Sequence, residues 1–299
     1  MGATLFLVFV GGLVTSTGSG LAVPDWPLSY GMLMPPMVGG IFYEHGHRMV
    51  ATFVGMLTLV LAVWTAFSER RAGVRRLAWA ALATVVAQGA LGGITVLFLL
   101  PTPVSVFHAC LAQTFFCLTV ALAFVTSREW IHAVPPTEDI AGVRGAAAAA
   151  TAVVFGQLIL GAVMRHTGAG LAIPDFPLAL GQIVPPLESA PVLIHFLHRL
   201  GAIAVVTAIL YLARQAYRSR DRRLSRPVTV LVGLVLAQLA LGAATVLTGK
   251  SVVPTTAHVA TGAAVLGVTW FVTLRARRHL RRPQTMAVLT ALPDASPIP

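Results

Sequence analysis

Thr17-Gly18-Ser19-Gly20-Leu21-Ala22-Val23-Pro24-Asp25-Trp26-Pro27-Leu28 returns 150 residues later as Thr167-Gly168-Ala169-Gly170-Leu171-Ala172-Ile173-Pro174-Asp175-Phe176-Pro177-Leu178. Chance does not produce that. The same offset sets Gly31 on Gly181, Pro35-Pro36 on Pro185-Pro186, Gln88 on Gln238, Gly92 on Gly242, Thr95 on Thr245 and His108 on His258. One inserted residue then brings His47-Arg48 onto His198-Arg199. The chain is one unit of about 150 residues written twice.

Around the repeated motif the sequence is strongly apolar. Of 299 residues, 57% are hydrophobic and 10% charged, and the mean hydropathy is +0.83. One soluble core cannot hide that much apolar surface, so the chain belongs in a bilayer. A net charge of +11 suits a nucleic-acid binder only when Lys and Arg cover a polar face. Here they cluster between apolar runs, which excludes nucleic acid and leaves membrane lipid as the surrounding partner.

Apolar stretches near 1–16, 48–67, 77–100, 104–126, 145–164, 192–213, 227–248 and 253–274 approach the roughly 20 residues that span hydrocarbon. They give an all-α membrane protein with eight transmembrane helices. Four helices per unit is an even number, so both units cross in the same sense as two parallel-repeat four-helix bundles. The expected divisions are an N-terminal bundle over 1–130, a cytoplasmic linker over 131–144, a C-terminal bundle over 145–280 and a disordered tail over 281–299. The first stretch is short for a span and lacks the features of a cleavable signal, so a longer N-terminus is expected.

Seventeen of the 21 basic residues fall on one side if the helices alternate: Arg70, Arg71, Arg75, Arg76, Arg128, Arg144, six arginines from Arg214 to Arg226, and Arg275, Arg277, Arg278, Arg281 and Arg282. Arg48, Arg165, Arg199 and Lys250 remain on the other. The positive-inside rule then puts both termini in the cytoplasm, as a multi-pass protein of the cell inner membrane. The connections from about Thr17 to His45 and from Thr167 to Leu193 lie outside, where Trp26, Leu28, Tyr30, Met34 and Pro35 form an interfacial lid. Cys110 and Cys117 lie about 10 Å apart along one helix and cannot bridge each other.

An ionisable residue in an apolar span faces the bundle interior and needs a partner. His47 and His108 fall within the first turn or two of the second and fourth helices, at one depth near the outer face. His198 and His258 repeat that placement in the second unit. Imidazoles from facing helices hold haem iron from both sides. Zinc wants three or four close ligands, and each bundle offers two histidines without a nearby cysteine. Arg48 and Arg199 follow two of these histidines and suit bidentate pairing with haem propionates, or snorkelling to lipid phosphate.

Glu44 stands three residues before His47, with His195 as its counterpart. It fits two readings: a carboxylate that moves protons beside one iron, or a solvated residue at a helix start. His45, His166 and His195 read as surface groups at loops or helix ends. His132 and His279 sit in cytoplasmic segments.

The duplicated TGSGLAVPDWPL and TGAGLAIPDFPL, the segments Glu44-His45-Gly46-His47-Arg48 and His195-Phe196-Leu197-His198-Arg199, and His108 with His258 together resemble the haem A synthase family over nearly the whole chain. The resemblance implies an oxidoreductase that converts haem O to haem A for cytochrome oxidase, taking the C8 methyl group to a formyl group by successive hydroxylations. It implies substrate haem between His47 and His108, a cofactor haem b on His198 and His258, and Glu44 as the catalytic carboxylate. Haem O synthase and an unidentified electron donor are the implied partners. The sequence departs from the family in its outer loops, where Val23 and Ser29 fall in the stretch of an expected cysteine pair, so no thiol step is available there. Two other functions fit the residues: a non-enzymatic two-haem cytochrome, for which Glu44 is dispensable, and a transporter, which lacks the broken mid-membrane helices that class requires.

Overall fold

The computed structural model describes residues 1–132 and 140–278. Among them the chain runs α1 (Gly2–Ser16), α2 (Gly39–Ser68), α3 (Ala72–Leu97), α4 (Thr102–Val125), a short α5 (Arg128–Ile131), α6 (Ala141–His166), a 3-10 turn (Ala169–Leu171), α7 (Ala190–Arg218), α8 (Arg222–Leu247) and α9 (Val252–Arg278). Seven of these helices are long and apolar enough to cross a membrane, and α1 is a shorter apolar helix of 15 residues. The tail and His279 lie outside the described residues, as do residues 133–139 of the expected linker.

Every long helix starts earlier than its apolar stretch, α2 by the most. α2 begins at Gly39 rather than near residue 48, because the prolines that stop a helix from extending backwards, Pro35 and Pro36, lie further upstream. α3 begins at Ala72 rather than near residue 77. His47 therefore lies eight residues after Gly39 and His108 six after Thr102; His198 and His258 lie eight and six after Ala190 and Val252. At 1.5 Å per residue all four sit about 9–12 Å along their helices, so His47 and His198 occupy the third turn, deeper than expected.

Neighbours follow chain order. α1 packs on α2, α2 on α3, α3 on α4, and α4 only lightly on α1; α6, α7, α8 and α9 close more fully, with α9 packed along α6. In each ring the histidine-bearing helices, α2 with α4 and α7 with α9, are diagonal. α9 also lies on α1 and α4, and α4 on α6. Buried Val54, Ala62, Ala78, Phe115 and Leu122 fill the first ring. Ala147, Ala150, Ile209, Leu212, Leu231 and Leu266 fill the second. Between lipid-facing helices the gain comes from close packing, not from removing apolar surface from water. Small residues supply it: Ala146, Ala147 and Ala150 are buried on α6, and a Cβ at Gly12 of α1 would touch Thr256 and Val259 of α9. Large apolar side chains such as Leu57, Trp64, Phe67, Leu236 and Leu247 point outward, as suits a lipid-facing surface.

The turns are duplicated too. α3 ends with Leu99 and Leu100 at positive φ, and α8 ends with Gly249 and Lys250 at positive φ. In both, the last of these residues donates its N–H across the turn, Leu100 to Thr95 and Lys250 to Thr245, at 2.7 Å. At the opposite end, Glu69 leaves α2 and grips the start of α3. Its carboxylate accepts from Arg71 N at 2.9 Å and Nη2 at 2.6 Å, while Arg71 Nη1 donates to Val125 O at 2.9 Å. The Arg71 guanidinium holds that carboxyl down at about 2. Cys110 and Cys117 are both free, and Cys117 O accepts from Trp270 Nε1 at 3.0 Å.

Candidate functional site

The loop from Thr17 to Val38 lies over the end of the first ring. Asp25 folds it: Oδ1 accepts from Tyr30 N at 2.7 Å and Oδ2 from Gly31 N at 2.8 Å. Asp175 repeats this with Leu180 and Gly181. The N–H groups of Gly31 and Tyr30 hold the Asp25 carboxyl below its ordinary range, and those of Gly181 and Leu180 do so for Asp175. Tyr30 and Leu180 take the left-handed conformation at φ 54°, followed by Gly31 and Gly181 at φ 70° and 76°, where glycine carries no penalty. Trp26 then lies against α3, since a Cβ at Gly93 would come within 2.7 Å of its ring.

Arg48 and Arg199 anchor these loops. Arg48 Nη1 donates to Asp25 O and Leu28 O, both at 2.8 Å, and Nη2 to Val23 O at 3.2 Å and Glu44 Oε1 at 2.7 Å. Arg199 Nη1 donates to Leu178 O at 2.7 Å, and Nη2 to Ile173 O at 3.1 Å and Asp175 O at 2.6 Å. The propionate pairing expected of them thus meets competition. All four terminal N–H groups of Arg48 are engaged, leaving Nε; Arg199 keeps Nε and one Nη1 hydrogen.

Glu44 is 4% exposed, so its reading as a solvated helix-start residue is overturned: α2 begins a full turn before it. Oε2 accepts the Val23 N–H at 2.8 Å and Oε1 pairs with Arg48. His195, 2% exposed, takes its place in the second half and accepts the Ile173 N–H on Nδ1 at 3.3 Å. His45 is also buried, with Nδ1 2.8 Å from Ser29 Oγ. His45 and His195 are therefore not surface groups, because the loops fold down over them. His166 ends α6 half-buried, and its carbonyl accepts from Thr102 Oγ1 at 3.2 Å. His132 is exposed after α5.

Each of the four half-buried histidines rests its ring against a glycine of the neighbouring helix. A Cβ built at Gly11 of α1 would lie 3.2 Å from His47 Cε1, and one at Gly92 of α3 3.5 Å from His108 Cε1. In the second ring Gly161 of α6 gives 3.1 Å to His198 and Gly242 of α8 gives 3.0 Å to His258. His47 and His108 lie within electrostatic reach of one another, as do His198 and His258. Gln88 Nε2 donates to His108 O at 2.9 Å, and Gln157 Nε2 to His198 O at 2.8 Å. These glycines and glutamines are the site residues that the sequence reading did not single out. Only the matched pairs Gly92/Gly242 and Gln88/Gln238 carried a signal, as identities within the repeat.

The pairs fit haem and not a metal cluster. Among the described residues no three His, Cys, Asp or Glu side chains come together to hold a metal ion. His258 Nδ1 lies 3.1 Å from Gln238 O, which puts the proton on Nδ1 and the lone pair on Nε2, where the Gln238 Nε2 amide donates to it at 3.4 Å. The Nδ1 atoms of His47 and His108 are buried without a hydrogen-bond partner. Such orphans are uncommon in a folded interior, and a ligand that orients the imidazoles accounts for tolerating them.

Residues 38–270 match the family model COX15-CtaA, described as cytochrome oxidase assembly protein. The chain is 35% identical over 249 residues to a protein named Heme A synthase from Symbiobacterium thermophilum, covering 80% of each chain. A Heme A synthase from Halalkalibacterium halodurans is 32% identical over 262 residues, covering 82% of this chain and 84% of its own. One from Sphingopyxis alaskensis is 30% identical over 314 aligned positions, covering 89% of this chain and 86% of its own.

Proposed function

From the premise that this chain belongs to the COX15-CtaA family of cytochrome oxidase assembly proteins, we propose that it is an oxidoreductase of haem A biosynthesis. It oxidises the C8 methyl group of haem O to a formyl group, giving haem A for cytochrome oxidase. The observation that carries this reading is the duplicated histidine–glycine arrangement combined with one buried carboxylate, Glu44, in one half alone. Symmetric electron transfer needs no such difference, so the two-haem cytochrome is the weaker account.

We assign substrate haem to His47 and His108 in the half over 1–130, and haem b to His198 and His258 in the half over 145–280. Each half is a four-helix bundle, which makes eight transmembrane helices in all. Haem b, when bound, supplies redox chemistry. The protein's part is to seat the imidazoles against Gly11, Gly92, Gly161 and Gly242, to cover the sites with the two loops, and to keep a carboxylate near the substrate. Glu44 lies three residues before His47 and so on nearly the same helix face; it is held by Arg48 and the Val23 N–H. Its oxygens are placed to take up and return a proton as the methyl carbon is oxidised. The Nε–H groups of Arg48 and Arg199 remain for propionates.

The loop ends face outward and both termini lie in the cytoplasm, with the chain in the cell inner membrane. Haem O synthase and an electron donor work beside it. Pigment analysis of the purified protein tests the function: haem O or haem A beside haem B is expected, and haem B alone at two per chain overturns it in favour of the cytochrome.

A further inference from the structure

Positive charge is distributed unevenly around the two histidine pairs. Among the described residues the ion pairs are Arg48–Glu44, Arg71–Glu69 and Arg275–Glu129. Near the loop end, Arg48 is thus neutralised by a carboxylate in direct contact, whereas Arg199 faces His195 in place of Glu44 and feels the Asp175 carboxylate only beyond ion-pair distance. The second half holds another unmatched cation. Arg165 lies four residues after Gly161 and so on the same face of α6, one turn beyond the point where Gly161 meets His198. Its charge also acts on His258.

The Arg165 guanidinium bonds through Nη2 alone, to Ser16 Oγ at 2.9 Å and Gly12 O at 3.3 Å, both neutral groups of α1. Nη1 and Nε have no partner among the described residues. A half-buried guanidinium in the last turn of a helix, with Nη1 and Nε unpaired, is suited to a carboxylate from outside the chain. In the repeat, Thr15 occupies the corresponding place, and its hydroxyl donates back to Gly11 O at 3.2 Å. The second half therefore has two half-buried guanidiniums without a direct ion pair, and the first has none. Haem carries two propionate carboxylates.

We propose that Arg165 and Arg199 clasp the two propionates of the haem in the second half and make it resident, while Thr15 and the Glu44-neutralised Arg48 leave the haem of the first half free to exchange. This rests on the two-haem reading above. It also accounts for how one scaffold keeps a cofactor on one side and turns over a substrate on the other.

Haem capture by excess apomyoglobin, followed by absorbance on the full-length protein in detergent, tests it without reference to turnover. In the wild type, haem O or haem A should leave faster than haem B. Arg165→Gln and Arg199→Gln should each speed haem B transfer by roughly tenfold to a hundredfold, the range for losing a charge-assisted hydrogen bond. Arg165→Lys, which keeps the charge, should restore most of the retention. Ser16→Ala, which removes the neutral partner alone, should transfer haem B at the wild-type rate. Thr15→Arg should slow the release of haem O.

Haem B leaving both Arg→Gln variants at the wild-type rate overturns the proposal. So does a Ser16→Ala effect equal to that of Arg165→Gln, which would make Arg165 a staple between helices. If Arg165→Gln is not recovered folded, Thr15→Arg decides: unchanged haem O release overturns it. A wild-type protein holding haem B alone, at two per chain, overturns instead the function on which the proposal rests.

Discussion

At Val23 and at Ile173 the same loop N–H meets different acceptors, the Glu44 carboxylate in the first half and the His195 imidazole in the second. The difference continues inward. Ser29 and His45 form a buried pair in the first half, and Ala179 and Phe196 stand at the matching places in the second. Around the four imidazoles the order reverses: His258 Nδ1 faces the Gln238 carbonyl and His198 Nδ1 accepts from the Gln157 amide, both at 3.1 Å, while the Nδ1 atoms of His47 and His108 have no partner. Polar groups in the first half concentrate where loop meets helix, and those of the second concentrate on the imidazoles. A rigidly oriented imidazole suits a permanent axial ligand, and a less constrained one suits a ligand that must let go.

The largest effect that would break this comparison is expected at the imidazoles of the second half. Replacing His198 or His258 by Ala should abolish the b-type absorbance, and unchanged haem B content in both variants would remove the assignment. Next comes the carboxylate found in one half. Glu44→Gln should keep haem B and lower conversion of haem O by about 10²-fold or more, the range for losing a positioned acid or base, with unreacted haem accumulating. A wild-type haem A yield would reduce Glu44 to a loop anchor. The smallest effect sharpens the geometry. Gly242→Ala puts a methyl 3.0 Å from His258 Cε1, whereas Gly46→Ala meets nothing within 4 Å. The first should lower haem B content or shift its absorbance, the second should do neither, and equal behaviour would show that the glycines do not seat the rings.

The repeat, the apolar spans and the four histidines were legible in the sequence because each is a pattern: an identity at fixed offset, a length, or an ionisable residue in a run that excludes charge. The seats of those histidines were not. Gly11 and Gly161 lie among many small residues of apolar helices, where glycine is common for packing reasons alone, and only their contact with an imidazole sets them apart. Burial of His45 and His195 was hidden for a different reason. It depends on the loops folding down through Asp25, Asp175, Arg48 and Arg199, a tertiary arrangement without a local signature. The start of α2 moved because the helix runs upstream of its apolar stretch to Gly39, three residues after Pro36.

α9 packs on α1, α4, α6 and α8, and this has a consequence for how the protein is made. Synthesis is vectorial, with the N-terminal segments emerging first, yet α9, which packs on helices of both halves, follows every other described helix in the chain. Until it arrives, Phe116 and Val120 of α4 and Leu5 and Val8 of α1 lack Ala263, Trp270 and Phe271, against which they finally pack. Until then the seam between α1 and α4 stays open in the bilayer. Arg275, reaching Glu129 and Arg223 O, and Arg278, bonded to Trp130 O, then close it like a latch.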